Sequence, residues 1–279
     1  MTFPSTMLAQ SAEPIEIQKA DLDLLDKINK VAAGAAASST AGLQKGYLYG
    51  LALSNGTDTT NDIAIAAGEC VDSAGAELMQ LAAALTKRLD AAWEPGTNGG
   101  GLDTGAIANT TYHVWVIKRT DTGVVDALFS LSATAPTMPA NYTKKRRIGA
   151  IIRSGATILA FTQIGDRFML KTVIDSRAWA ALPNTTRNLV TVTSPPSTPA
   201  LLRISEYSPT AAYYLKVEPV FVTDVAATAA NAQYLFYGSG YIAEMPTDGS
   251  SQVAYRGSNI AIYIGIQTLG WIDTRGRDA

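Results

Sequence analysis

Residues 112–153 read YHVWVIKRTDTGVVDALFSLSATAPTMPANYTKKRRIGAIIR, and this stretch decides the fold class. Along residues 112–118, successive side chains of a strand point to opposite faces, and both faces are largely apolar. A strand of this kind is typical of a position between two layers. Asp-Thr-Gly and Ser-Gly turns separate β-branched runs further along, which predicts two hairpins, at 118–132 and 147–165.

The same pattern of short apolar or alternating runs between turn residues continues on both sides. We predict further strands at 47–53, 62–66, 189–193, 201–206, 213–223, 232–238 and 260–267. Residues 78–93 are rich in alanine, which permits a helix, but we interpret them as strand and loop. Short strands at roughly ten-residue spacing favour β-sandwiches over α/β layers.

The N-terminal part has a different pattern. Asp21 can cap a helix in which Leu24, Ile28 and Val31 recur at helical spacing, and the small residues 32–46 that follow read as a linker. Because a single short helix is not stable alone, this apolar seam needs a partner. The partner is either the chain's own domain or identical helices around a symmetry axis.

The composition break near residue 45 divides the chain into three predicted parts. These are an N-terminal arm and helix for anchoring and oligomerisation at 1–45, a first β-sandwich domain at 46–175, and a second β-rich domain at 176–279. The predicted fold class is therefore mainly β, with antiparallel β-sandwich domains preceded by an N-terminal helical arm. We expect the arm to anchor the chain and the second domain to face outward.

Composition excludes several function classes. The formal net charge of −2 argues against a nucleic-acid binder, which needs a basic face to neutralise phosphates. Cys70 and His113 are the only cysteine and the only histidine, so neither an intramolecular disulfide nor an ordinary zinc site can form. We predict no metal and no cofactor. No stretch of about 18 apolar residues occurs, so we also predict no membrane insertion.

No catalytic constellation stands out. We interpret His113 as a histidine packed in a strand, and Cys70 as a small buried apolar residue. A glycosidase needs two acids across a cleft, and Asp90 with Glu94, or Asp121 with Asp126, are formal pairs that nothing singles out. The sequence therefore predicts no enzymatic activity and no catalytic residue.

Two further segments have simple interpretations. The glycine-rich segment 98–101 lacks the Lys-Ser/Thr end of a phosphate loop, so we predict a surface loop. The basic run 144–147 would alternate in a strand, so only about half of its charges can face one partner. We interpret it as a solvated edge or as ion pairs between subunits, with contact to an anionic surface glycan as the alternative.

Tyrosine is concentrated near the C-terminus, where eight of the twelve tyrosines follow residue 200. A tyrosine ring is flat and apolar with a polar tip, which suits sugar faces as well as subunit interfaces. We assign most of these tyrosines to the core or to interfaces. We predict Tyr207, Tyr241 and Tyr255 as candidates for binding a glycan or receptor, the first two because they lie next to turns.

The stretch 112–153 resembles a segment of tail-fibre-like and other virion proteins of tailed bacteriophages. The shared elements are an aromatic strand ending in Lys-Arg, the Asp-Thr-Gly turn, Leu-Phe-Ser, a Pro-Thr-Met-Pro loop, and a Tyr followed by Arg-Arg-Ile-Gly. Residues 86–104 and the final GWIDTRGRDA are similar to the same proteins. The resemblance covers about half of the chain, and its motifs mark a domain rather than a reaction.

The resemblance implies a structural subunit of a tailed-phage particle, fibre- or spike-like, that contributes to host-surface attachment. Such a subunit resides in the virion and is assembled in the host cytoplasm. The expected partners are identical subunits, preferably in a trimer, other virion proteins through the N-terminal arm, and a host cell-surface glycan. The alternatives are a purely architectural capsid decoration, collar or baseplate protein and, as a minor one, a glycan-cleaving tail spike.

Overall fold

The computed structural model of the 279-residue chain describes residues 24–30, 44–210, 212–232 and 239–277. Strands account for 51% of the chain and helix for 3%, so the fold is mainly β, as the sequence predicts. The chain divides into two compact units, residues 1–44 and 45–279.

In the first unit the structure describes one short helix, α1, at residues 24–30. Leu24 and Ile28 of this helix are both more than half exposed. Val31 lies outside the described residues. The anchoring role assigned to these three side chains stays a prediction.

The described part of the second unit contains nineteen strands. The first ten are β1 (Leu48–Gly50), β2 (Leu53–Asn55), β3 (Asp62–Ile65), β4 (Gly68–Val71), β5 (Leu78–Leu81), β6 (Leu85–Ala92), β7 (Gly99–Leu102), β8 (Thr111–Arg119), β9 (Val125–Ser130) and β10 (Tyr142–Ser154). The other nine are β11 (Thr157–Ile158), β12 (Phe161–Ile164), β13 (Arg167–Ala181), β14 (Asn188–Thr191), β15 (Ala200–Tyr207), β16 (Leu215–Pro219), β17 (Ser239–Met245), β18 (Gln252–Gly257) and β19 (Tyr263–Ile272).

These strands form four sheets. An eight-stranded sheet has the order β11-β10-β8-β9-β7-β6-β3-β2, and a five-stranded sheet has the order β12-β13-β19-β15-β17. Two three-stranded sheets have the orders β1-β4-β5 and β14-β18-β16. Strand β7 runs parallel to both β6 and β9, and the other pairings among the described residues are antiparallel.

The stretch that decides the fold lies inside the eight-stranded sheet. Strand β8 pairs with β9 on one side and with β10 on the other, so the hairpin predicted at 118–132 is confirmed. The hairpin predicted at 147–165 is present in part, because β11 pairs with β10, whereas β12 pairs with β13 in the five-stranded sheet. Tyr112 and Val114 of β8 belong to the largest hydrophobic cluster, whereas Trp115 and Ile117 belong to a second cluster. Strand β8 is therefore buried on both faces, as its sequence predicts.

Most of the other predicted strands are present, with shifted ends. Residues 78–93 form two strands, β5 and β6, rather than a helix. Residues 233–238, most of one predicted strand, lie outside the described residues. The extent of β13 is the largest departure, because this strand continues through residues 175–181, where the sequence pattern predicts no strand.

The prediction of a surface loop at 98–101 is wrong. Gly100 and Gly101 are buried in β7, inside the eight-stranded sheet. A Cβ on Gly100 would lie 1.8 Å from the carbonyl oxygen of Ala92, and one on Gly101 would lie 2.6 Å from the ring of Phe129. The glycines are thus required by the close approach of neighbouring groups, which is one reason for glycine inside a strand.

Strand β19 contributes to both large hydrophobic clusters, whereas the buried residues of β13 belong to one of them. Phe168 of β13 and Trp271 of β19 belong to the cluster of the N-terminal strands. Ile264 and Ile266 of β19 belong to the cluster formed with β15, β16 and β18. The predicted boundary between residues 175 and 176 falls within β13, and the division into two domains there stays a prediction.

Candidate functional site

The five-stranded sheet presents one face that carries aromatic and polar side chains. Its central strand β19 pairs with β15, so that Tyr263 lies opposite Tyr207, Gly265 opposite Ser205, and Gln267 opposite Arg203. Side chains alternate along a strand, so these residues share one face. Ile204 and Ile266, which lie between them in the chain, point into the hydrophobic cluster on the other side. We call the first face the outer face.

Three aromatic rings form a row across the outer face. The rings of Trp179 and Tyr263 are stacked with centroids 6.1 Å apart, and Tyr207 meets Tyr263 edge-on at 6.3 Å. Trp179 is 50% exposed, whereas Trp115 and Trp271 are buried. The row therefore exposes aromatic surface, most of it from Trp179, on a sheet that fixes its position.

Gly265 allows the indole of Trp179 to lie against the sheet. A Cβ on Gly265 would be in ordinary contact with Cε3 of Trp179 at 3.4 Å and with its Cα at 3.6 Å, so a branched side chain there would displace the ring. Because the indole stacks on Tyr263 and is half exposed, its other face is a platform for another flat molecule.

A polar row crosses the same face, four positions along the strands from Tyr207 and Tyr263. Arg203 Nη1 donates a hydrogen bond to Gln267 Oε1 at 3.2 Å, and Gln267 Nε2 donates one to Asp175 Oδ1 at 2.7 Å. These bonds fix the orientation of the Gln267 amide. The row carries one positive and one negative side chain, so its formal charge is zero.

Small residues separate the two rows. Ser205 pairs with Gly240 of the next strand and with Gly265, so the position between the aromatic and polar rows carries little side-chain volume. Two residues along a strand correspond to about 7 Å, which is the spacing between each row and this floor. The face can thus hold a molecule that stacks on a ring and exchanges hydrogen bonds with the polar row.

The three predicted tyrosines lie in different surroundings. Tyr207 belongs to the aromatic row, but Tyr241 pairs with Ile204 and packs against the hydrophobic cluster. Tyr255 is 6% exposed, and its hydroxyl accepts a hydrogen bond from Arg177 Nε at 3.0 Å. The structure therefore does not bring the three together, and Tyr255 offers no open ring face to a ligand.

The formal acid pairs do not form a cleft. Asp121 lies in a turn beside Arg119, whose hydrogen bond lowers the pKa of this carboxyl to about 2. Asp126 is buried against Lys87, and Asp90 lies 3.7 Å from the guanidinium of Arg88. Each of these carboxylates has a cation of its own, which is the arrangement of a structural ion pair.

Three hollows of about 300, 500 and 350 Å³ lie elsewhere on the surface, and their walls carry no carboxylate.

Among the described residues, no group of three histidine, cysteine or acidic side chains could hold a metal ion. In that same part of the chain, no helix is long and apolar enough to cross a membrane. The absence of enzymatic activity stays a prediction.

The basic run 144–147 contacts groups of its own chain. Lys144 lies 3.9 Å from Asp72, and the ammonium of Lys145 lies over the ring of Trp115 at 5.6 Å. Arg147 donates two hydrogen bonds to Asp273, at 2.6 and 2.8 Å. Arg147 is therefore paired within the chain, and the interpretation of the run as a solvated edge or as ion pairs between subunits stays a prediction.

His113 and Cys70 are buried, as the sequence predicts. Burial, with a smaller contribution from Arg147, lowers the pKa of His113 to about 4. Its Nδ1 has no hydrogen-bond partner among the described residues. Burial raises the pKa of the Cys70 thiol to about 12, so this thiol stays protonated and inert at neutral pH.

We expect His113 to make the fold sensitive to mild acid. Below pH 6.5 the unfolded chain binds a proton on this imidazole that the folded chain does not bind until about pH 4. The free energy of unfolding should therefore fall by about 2–3 kcal/mol between pH 7.5 and 4.5. Urea unfolding at the two pH values checks this, with the His113→Gln variant as the control that lacks this loss. Equal losses in both proteins would contradict the assignment.

Neither a scan against protein-family models nor searches of curated proteins and solved structures finds a match to this chain.

Proposed function

We propose that this chain is a structural subunit of a tailed-bacteriophage particle, fibre- or spike-like, that contributes to attachment to the host surface. The observation that carries the proposal is the aromatic row of Trp179, Tyr263 and Tyr207 on the outer face, in which the indole of Trp179 is half exposed. The resemblance of residues 112–153 to virion proteins of tailed phages supports the particle context. The virion is the proposed location, after assembly in the host cytoplasm.

The arrangement of the β body fits a rigid carrier of such a surface. Ile204 of the five-stranded sheet and Val253 of the three-stranded β14-β18-β16 sheet belong to one hydrophobic cluster. We propose that these two sheets pack face to face as an antiparallel β-sandwich, with the outer face on its solvent side. A rigid sheet holds binding side chains in place without the entropy cost of ordering a loop.

The helix α1 supports the proposed assembly. The exposed side chains of Leu24 and Ile28 lie four positions apart, on one side of the helix, where a copy of the same helix can cover them. We propose a homotrimer joined through the N-terminal arm, which also contacts other virion proteins.

The proposal is tested on particles and on the isolated chain. Mass spectrometry of purified tailed particles from the culture that encodes this chain should detect it, at three copies for each fibre. Light scattering of the recombinant protein should give the mass of a trimer, and the labelled trimer should bind host cells. Absence from purified particles would overturn the proposed function. Presence in particles without cell binding would favour the purely architectural alternative.

A further inference from the structure

The outer face combines two kinds of side chain that one class of ligand requires together. A pyranose ring has an apolar face made of C–H groups and a rim of hydroxyls that donate and accept hydrogen bonds. The half-exposed indole of Trp179 matches the apolar face. The polar row of Arg203, Gln267 and Asp175 supplies donors and acceptors to the rim.

The spacing of these groups fits a short saccharide. The aromatic row and the polar row lie about 7 Å on either side of the floor at Ser205 and Gly240. Trp179 itself lies beside Gly265, which is two residues and about 7 Å from Gln267, so a sugar that rests on the indole has its hydroxyls next to the polar row. The rows run across adjacent strands, so a chain of two or three sugars can lie along them.

The charge of the face distinguishes between classes of saccharide. Arg203 and Asp175 are both exposed and both contact Gln267, so an acidic sugar would gain from one of them and be repelled by the other. Neutral sugars have no such conflict, because hydroxyls bond both to guanidinium and to carboxylate.

Resting on the proposed attachment function, we propose that the outer face binds a neutral oligosaccharide, one pyranose stacked on Trp179 and its hydroxyls bonded to the row of Arg203, Gln267 and Asp175. Gly265 is a positioning residue, because a branched side chain at this position would displace the indole that lies beside it. The dissociation constant should be on the order of 1 mM, as expected for one platform and a few exposed hydrogen bonds.

Acrylamide quenching of tryptophan fluorescence reports on this site directly, because Trp179 is the most exposed of the four tryptophans. The probes are neutral trisaccharides of gluco, galacto and manno configuration, with trigalacturonic acid as the acidic comparison. At least one neutral trisaccharide should protect the full-length protein from quenching, and trigalacturonic acid should not. Failure of all the neutral probes, or protection by the acidic one, would overturn the proposal.

Variants separate the site from the rest of the surface. In calorimetric titrations with the protecting trisaccharide, Trp179→Ala and Gln267→Ala should each weaken binding at least about tenfold. Gly265→Val should weaken it as well, although it removes no group that touches the sugar. Leu189→Ala, which removes an exposed apolar side chain from the three-stranded sheet, is the matched control and should leave the affinity unchanged.

Other outcomes have separate meanings. Protection of Trp179 that grows with protein concentration in the absence of sugar would show a second copy on this face, and would overturn the saccharide proposal. Cell binding that Trp179→Ala does not alter would overturn the site while the attachment function stands. Sugar binding by a chain that is absent from tailed particles would overturn the attachment function while the site stands.

Discussion

Replacing Asp273 with alanine is expected to lower the free energy of unfolding by about 3–5 kcal/mol. The Asp273 carboxylate is buried and accepts two hydrogen bonds from the guanidinium of Arg147 on β10. It also accepts a bond at 2.7 Å from the backbone N–H of Arg275. Removing this carboxylate leaves the largely buried guanidinium of Arg147 without a counter-charge. An uncompensated buried charge destabilises the fold more than the loss of both partners would.

Arg275, close to Asp273, also hydrogen-bonds the segment 273–275 to the N-terminal strands. Arg275 Nε donates to the carbonyl of Ile148 at 2.9 Å, and its Nη2 donates to the carbonyls of Gly50 and Leu51. Just before this segment, Trp271 stacks on Phe168 with ring centroids 5.4 Å apart. Residues 271–275 are thus packed against the core of the N-terminal half.

Guanidinium denaturation of Asp273→Ala and of the wild type gives the measurement. The matched control is Glu244→Ala, because Glu244 lies 3.9 Å from Arg167 with both side chains about half exposed. That surface pair should contribute less than about 0.5 kcal/mol. A cost below about 1 kcal/mol for Asp273→Ala would contradict the account.

The same experiment addresses the domain boundary. Because β19 contributes to both hydrophobic clusters, loss of the Asp273 contact should destabilise both halves in one transition. Tryptophan and far-UV circular dichroism signals should therefore coincide. Two separated transitions would favour the predicted division at residue 175.

Local sequence signals predicted the centre of the eight-stranded sheet well. The turns after Lys118 and at Ser154 lie between β-branched runs, so the register of β8, β9 and β10 follows from turn chemistry and alternation. Strand β7 was not predicted, because glycine is common in turns. The reason for glycine at 100 and 101 is visible only in the structure, where Ala92 and Phe129 leave no room for a side chain.

The outer face could not be predicted to the same extent. The position of Tyr207 before a turn predicts a binding residue. Trp179, in contrast, lies in a stretch whose sequence pattern does not predict a strand. Asp175 and Gln267 are 92 positions apart, and Arg203 and Gln267 are 64 apart. Such a row is assembled by the pairing of distant strands, and no local pattern in the sequence displays that pairing.

Lys87 and Asp126 form the second contact for which we expect a large effect. Both side chains are fully or almost fully buried, with Lys87 Nζ 3.1 Å from Asp126 Oδ1. The ammonium also donates to the carbonyls of Glu94 and Gly96, at 2.5 and 3.1 Å. Gly96 N–H in turn donates to Asp126 Oδ2 at 2.7 Å. The pair thereby holds the 94–96 turn against the sheet.

We expect Lys87→Met to lower the free energy of unfolding by about 3–5 kcal/mol, because it leaves the buried Asp126 carboxylate without its cation. The double variant Lys87→Met with Asp126→Leu should recover part of this loss, since no buried charge remains. Recovery should be incomplete, because the carbonyls of Glu94 and Gly96 and the N–H of Gly96 lose their partners. A double-mutant cycle in urea gives the coupling energy, and a value near zero would contradict the assignment.

Asp126→Asn gives a test that depends on pH rather than on packing. Burial lowers the pKa of Lys87 in the folded wild type, and the Asp126 carboxylate opposes this effect. Without the carboxylate, the pKa of the folded ammonium should fall further, while the unfolded lysine still titrates near 10.4. Between those two pKa values the unfolded chain binds the proton and the folded chain does not, so the stability of Asp126→Asn should rise with pH. The wild type should show a smaller rise over the same range. Parallel pH profiles of the two proteins, measured by urea unfolding from pH 7 to 10, would show that Asp126 does not stabilise the ammonium form of Lys87.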